Sequence, residues 1–210
     1  MIIEQTKPLL TTGVNQSVSF EEFKSEVITD FILACISREV SLTGRKEVLT
    51  GKAKFGIFGD GKELPQIALA KVFENGDFRA GYYRDQTFAL ATGIVTVEQL
   101  FGQLYANPSL EEDPHSGGRQ MNNHFATRNL NPDGSWKDLT KQKNSAADNS
   151  PTASQMIRAL GLAMASKKYR ELQDIIGENN FSVNGNEICF ATIGAASTSE
   201  GLFWEVINAG

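Results

Sequence analysis

The chain contains no apolar run near the roughly 20 residues needed to cross a bilayer. Basic charge does not prevail either: 20 Lys and Arg stand against 25 Asp and Glu, a net charge of -5. That balance argues against a nucleic-acid surface and against a surface for anionic membranes. There are only two cysteines, Cys35 and Cys189, both inside apolar periodic segments. They are expected to be buried free thiols in a reducing cytoplasm rather than a disulfide framework. The only two histidines, His115 and His124, share one loop, and their spacing matches no zinc motif. The start, Met1 to Lys7, lacks the basic residues and apolar run of a signal peptide, so a cytoplasmic location is expected. What is present, 210 residues of which 40% are apolar, suffices for a sizeable core.

The most informative stretch is Glu187 to Gly210. Ile188 to Ile193 is an apolar run of strand length. Gly194-Ala-Ala-Ser-Thr-Ser199 is a turn of small residues. Leu202, Phe203, Val206 and Ile207 then recur at helical spacing. A strand, a tight turn and a helix start can present free N–H groups and a helix dipole to an anion. The same pattern also arises where a helix merely packs closely on its strand. The last helix has barely begun at Gly210, so the chain reads as a fragment of something longer.

Residues 1–18 read as a polar arm. Ser19 and Glu22 form a candidate capping box before a long helix ending near Gly44, with Phe20, Phe23, Val27, Phe31, Ile32, Ile36 and Val40 on one face. A Gly- and Lys-rich loop follows, then a short helix over 63–74 with Pro65 in its first turn. Tyr82-Tyr-Arg-Asp85 lies between a short extended segment and a helix over about residues 85–93. Its arginine could grip phosphate oxygens, or pair structurally with Asp85. Thr96 caps a helix to Ala106. Residues 107–150 form a long polar connection, of the kind that is usually functional or disordered. Within it, Arg119 and His124 are the groups able to hold a carboxylate and move a proton. Ser150 and Pro151 are expected to cap and open the next helix.

Four motifs stand in order: Tyr82-Tyr-Arg-Asp85, Gly118-Arg-Gln-Met-Asn-Asn-His124, Ser150-Pro-Thr-Ala-Ser-Gln155 and Gly194-Ala-Ala-Ser-Thr-Ser-Glu-Gly201. Together, from about residue 20 onward, they resemble the α-subunit, or α-half of a fused chain, of thiamine-diphosphate-dependent 2-oxo acid dehydrogenases, most closely the branched-chain type. The resemblance implies an α/β thiamine-diphosphate-binding fold, a parallel sheet flanked by helices, incomplete at the C-terminus. Residues 19–210 would be a partial pyrophosphate-type domain. It further implies that Tyr83 and Arg84 bind the diphosphate. Ser150 and Thr152 would flank the aminopyrimidine, Thr152 through its backbone. Gly194, Ala195, Ala196 and Ser197 would form the start of the thiamine motif. Arg119 and His124 would lie in the segment that closes over the site and serve catalysis. The implied reaction is oxidative decarboxylation of a 2-oxo acid with transfer of the acyl group to a lipoyl group. The implied partners are a β-subunit or β-half and the lipoyl domain of the acyltransferase component, with neither nucleic acid nor membrane.

One departure matters. The family form of the last motif is Gly-Asp-Gly-Ala, and its magnesium-ligating Asp aligns with Ala195, the next Gly with Ala196. A methyl group cannot replace a carboxylate at a Mg2+ ion. No metal ligand is therefore assigned in this chain. Ala195 fits an engineered knockout, a natural loss, or a metal held differently. It also leaves open a non-catalytic scaffold that retained the fold. A nicotinamide-nucleotide binder would need GxGxxG after an early strand and an acidic residue about 20 positions on, and neither is found.

Overall fold

A computed structural model of the protein describes residues 18–210. The expected arm over 1–18 lies, Val18 apart, outside the described residues. Helix α1 (Phe20–Leu49) opens on the capping box: Glu22 N donates to Ser19 Oγ, and Ser19 N to the Glu22 carboxylate at 2.9 Å. The helix does not stop near Gly44 but runs through it. Gly44 is a packing position, since a Cβ there would lie 2.6 Å from Phe58 Cζ.

The face by which α1 docks also differs from the apolar stripe read from the sequence. Phe20, Phe23, Val27, Phe31 and Ile32 are exposed, whereas Ser37, Val40, Ser41 and Gly44 are buried. Small side chains let α3 (Gln86–Ala91) come close, and hydrogen bonds satisfy the hydroxyls. The Gln86 amide donates to Ser37 O at 2.8 Å and to Ser41 Oγ at 3.1 Å, and Ser37 Oγ lies 2.7 Å from Thr87 Oγ1. Cys35 falls on the outer face and is exposed, which corrects the expectation of two buried thiols. Cys189 is half-buried, and burial pushes its thiol up to about 11. Neither cysteine is in a disulfide.

Helix α2 (Glu63–Ala70), strand β1 (Phe78–Ala80), α3 and helix α4 (Val97–Leu104) follow. As expected, Thr96 caps α4, with Gln99 completing a capping box. Val40, Ala89, Val95, Leu100 and Phe125 form one core cluster. Phe73 and Phe88 form another, with ring centroids 5.0 Å apart; Phe190 meets Phe73 edge-on at 5.2 Å.

The sheet is parallel, in the order β2-β1-β3, with β2 at Asn144–Ser145 and β3 at Cys189–Ala191. Arg79 of β1 pairs with Ser145 on one side and Phe190 on the other. Strand β2 lies inside the long polar connection and carries no apolar signal. Its Asn144 is fully buried because its amide donates to Leu139 O at 2.9 Å while its N–H donates to Asp77 O at 3.0 Å. Helix α5 (Ser154–Glu171) packs against β1 and β3, helix α7 (Gly201–Ala209) packs on α5, and α6 (Gln173–Ile176) is one turn between. The start expected for α5 at Ser150 moves to Ser154. Ala153 precedes it at φ 66°, so Ser150 to Thr152 form a separate exposed turn. Among the described residues, no helix is long and apolar enough to cross a membrane.

Two predictions arise from this packing. Arg38 grips Glu63 with Nε and Nη2, at 2.7 and 3.0 Å, and the pairing pulls the Glu63 carboxyl down from 4.5 to about 2. A lowered folded value means stability present above 4.5 and lost as pH falls toward 2. Glu63→Gln should therefore flatten the pH dependence of the urea midpoint across that window, as followed by circular dichroism. Gly102 sits inside α4, where a Cβ would overlap the Glu112 carbonyl, 2.9 Å from its carbon. Helix propensity alone would favour Gly102→Ala by about 0.5–1 kcal/mol. Overpacking against backbone costs about 1–3 kcal/mol, so net destabilisation is expected in urea unfolding.

Candidate functional site

The three strands end on the same edge of the sheet, and each runs into one of the motif loops. β1 leads into Gly81-Tyr-Tyr-Arg84, β2 into Ala146 to Thr152, and β3 into Thr192 to Ser199. Parallel strands leave a crevice at their carboxyl ends, where α/β sheets hold ligands. Here the loops enclose a cavity of 140 Å³, lined by Gly81, Tyr82, Tyr83, Asn149 to Ala153, Gln155 and Gly194 to Ser197. A larger cleft of 570 Å³ lies between the end of α5 and the 176–184 loop, away from these strand ends.

The loops are held by a residue the motif reading passed over. Arg79 is completely buried. Its guanidinium donates to Asp85 at 2.8 Å, to both Asp148 oxygens at 3.1 and 3.0 Å, to Ser145 Oγ at 2.9 Å and to Tyr82 O at 3.1 Å. It lies over the Phe125 ring, 5.3 Å from the centroid. The two carboxylates push the guanidinium's affinity for its proton up, against the effect of burial. Asp85 also accepts from Tyr82 N at 3.0 Å and from the Thr192 hydroxyl, and Asp148 from Phe125 N at 3.0 Å. Every loop of the cavity is thus tied to one cation. Gly81 has no alternative, because a Cβ there would overlap the guanidinium.

This arrangement decides the role of Arg84. Asp85 serves Arg79, so the structural Arg84–Asp85 pair does not form. Arg84 Nε is instead buried with no hydrogen-bond partner, and its guanidinium carbon lies 5.6 Å from the Tyr83 ring centroid. Gln66 Nε2 fixes the Arg84 carbonyl at 2.8 Å. Tyr82 and Tyr83 lie with ring centroids 4.3 Å apart. The Tyr82 hydroxyl abuts Gly194, where a Cβ would come within 2.8 Å of it, and burial pushes this phenol up to about 12. The pairs expected from sequence therefore meet: Tyr83, Ser150, Thr152, Gly194, Ala195, Ala196 and Ser197 all line one cavity, with Arg84 next to Tyr83 but outside the lining.

Arg119 and His124 are separated. His124 is buried, with Nδ1 3.2 Å from Asn122 O and Nε2 3.2 Å from Ser150 Oγ, so it supports the cavity wall from behind. Arg119 is exposed and lines no part of the cavity. The turn before it is held by Asp113, which accepts from Ser116 Oγ at 2.6 Å and Gly118 N at 2.9 Å. His115 is edge-on to Phe125 at 5.4 Å, and burial pushes its imidazole down.

The cavity suits an anion. It offers two phenols and the main chain of Ala195 and Ala196, which precede the first bond of the 3-10 turn, Ser197 N to Gly194 O, with the unpartnered Arg84 Nε nearby. It does not suit a divalent metal ion. No carboxylate lines it, and among the described residues no three His, Cys, Asp or Glu side chains cluster.

A parallel α/β sheet whose strand ends converge on one cavity is an arrangement by which α/β proteins hold ligands. The chain belongs to the dehydrogenase E1 component family, whose sequence profile matches residues 34–209. It is similar to the 2-oxoisovalerate dehydrogenase subunit alpha of Bacillus subtilis (strain 168), 30% identical over 160 residues. That match takes in 76% of this chain and 39% of the relative, so the chain spans well under half the relative's length.

Arg79→Met should unfold the site end of the sheet. Removing one partner from a buried ionic cluster costs about 3–5 kcal/mol. The expected result is a fall of that size in unfolding free energy, measured by chemical denaturation.

Proposed function

We propose that residues 19–210 form a thiamine-diphosphate-binding domain, the α portion of a dehydrogenase that oxidatively decarboxylates a 2-oxo acid and passes the acyl group to a lipoyl group. The observation that carries this reading is the convergence of the Tyr82–Arg84, Ser150–Thr152 and Gly194–Ser197 loops on one cavity beside a buried, unpartnered Arg84 Nε. The substrate class is a branched-chain 2-oxo acid, by similarity to the relative's named substrate. The partners are a β-subunit or β-half and the lipoyl domain of an acyltransferase component. A cytoplasmic location belongs to the same proposal, supported by two cysteines that stay free, one of them exposed.

The roles follow from the positions. Tyr83 and Arg84 hold the diphosphate oxygens, Arg84 with an Nε that no protein group occupies. The N–H groups of Ala195 and Ala196 add fixed donors. The Thr152 main chain and Ser150 border the aminopyrimidine. His124 Nε2 shares a proton with Ser150 Oγ, which orients that hydroxyl from the protein side. Arg119, exposed at the head of the 118–124 segment, would hold the substrate carboxylate when that segment closes. When bound, the cofactor supplies the nucleophilic carbon and the electron sink that decarboxylation requires.

A second reading, a scaffold that keeps the fold without turnover, is favoured by Ala195 and Ala196 at the cavity wall. The two are separated by assaying the full-length polypeptide with its β portion for 2-oxoisovalerate-dependent carbon dioxide release. Turnover is expected. Arg84→Ala should lower kcat/KM by about 10- to 100-fold, the worth of one or two charge-assisted hydrogen bonds. Absence of turnover in the native chain, with turnover regained by Ala195→Asp, would establish the scaffold instead.

A further inference from the structure

We infer that this pocket holds a diphosphate without a divalent metal ion, through hydrogen-bond donors alone. The inference rests on the reading of the cavity as a thiamine-diphosphate site. Magnesium demands near-octahedral oxygen ligands at about 2.0–2.1 Å and dehydrates reluctantly, so a protein site needs an anionic oxygen to hold it. The wall that should supply one is Ala195 and Ala196, and none of the residues lining the cavity is acidic. Two carboxylates behind the loops, neither of them lining the cavity, are held by Arg79: Asp148 through both oxygens and Asp85 through Oδ2, which also accepts from Tyr82 N. The carboxamides at the wall offer only neutral oxygens, and both side chains are anchored. Asn149 Oδ1 accepts from Ser154 Oγ at 2.6 Å, and Gln155 Nε2 donates to Thr192 O at 2.9 Å.

The donors, by contrast, are available. Arg84 Nε is buried and has no partner. The Tyr82 and Tyr83 rings border the cavity, and Ala195 and Ala196 line it just ahead of the first hydrogen bond of the 3-10 turn, Ser197 N to Gly194 O at 2.9 Å. The two phenols, the Ala195 and Ala196 main chain and, beside Tyr83, the Arg84 guanidinium are donors that can meet anionic oxygens without a bridging cation.

The test is calorimetric titration of the full chain with thiamine diphosphate, in excess Mg2+ and in EDTA, for the native protein, Ala195→Asp and Arg84→Ala. Ala195 is exposed, so its replacement by Asp does not disturb the core. The native chain is expected to bind with a Kd that changes by no more than about two-fold between the two buffers, and Ala195→Asp to gain about ten-fold or more from Mg2+, since it restores an anionic ligand. Arg84→Ala should abolish the metal-free binding. Native binding that is lost in EDTA would overturn the inference and leave the thiamine-diphosphate reading intact. So would binding by Ala195→Asp with Mg2+ when the native chain binds in neither buffer. If neither protein binds in either buffer, the inference and the reading of the pocket fall together. An Ala195→Asp chain indifferent to Mg2+ would also overturn it, because position 195 would then not govern the metal.

Discussion

A single guanidinium, shielded from water and shared by two carboxylates, is the constraint from which the site is built. Arg79 stands on the central strand and reaches Asp85 at the start of α3 and Asp148 in the loop after β2. Through Asp85 it also governs Thr192 in the loop after β3. Such a cluster contributes little net stability, because desolvation of three charges opposes their attraction. Its effect is geometric. An unpaired member would be costly in a low-dielectric interior, so only arrangements that satisfy all three are accessible. The three loops are therefore not free to choose their positions independently.

The same economy recurs where α1 meets α3. Gln86, adjacent to Asp85, spends its amide on Ser37 and Ser41 of α1, and its carbonyl side accepts from Asn123 at 3.3 Å. Asn123 in turn donates to Ile57 O at 2.7 Å. The buried layer beneath the site is thus a chain of satisfied polar groups rather than an apolar core. Buried apolar side chains gather in two clusters, around Phe88 and around Phe125. Polar layers of this kind are directional, and they place the Tyr82–Arg84 turn more narrowly than hydrophobic contact would.

The motifs were legible in sequence because they carry residues whose chemistry is conspicuous in short spans: paired tyrosines before an arginine, a proline after a serine, small residues between a strand and a helix. Capping boxes at Ser19 and Thr96 were legible for the same reason, being local hydrogen-bond patterns of fixed spacing. What escaped were features defined by distant partners. Strand β2 has two polar residues and pairs only because β1 offers it an edge. Arg79 resembles any charged residue until Asp148, far along the chain, turns out to face it. The apolar stripe of α1 misled because periodicity reports that a face is apolar, not that this face docks. The docking face is instead the one with small hydroxyl residues and a glycine.

The sequence by itself determined the class of the protein, the order of its motif loops and the absence of a carboxylate at position 195, because these are properties of residue identity and short-range spacing. Only the tertiary structure decided that the loops share one cavity, that His124 backs Ser150 while Arg119 stays outside, and that Asp85 belongs to Arg79 and leaves Arg84 unpaired. The reason is that hydrogen bonds and ion pairs are made by whichever groups folding brings within about 3 Å, and the fold brings the Asp85 carboxylate to Arg79 rather than to Arg84.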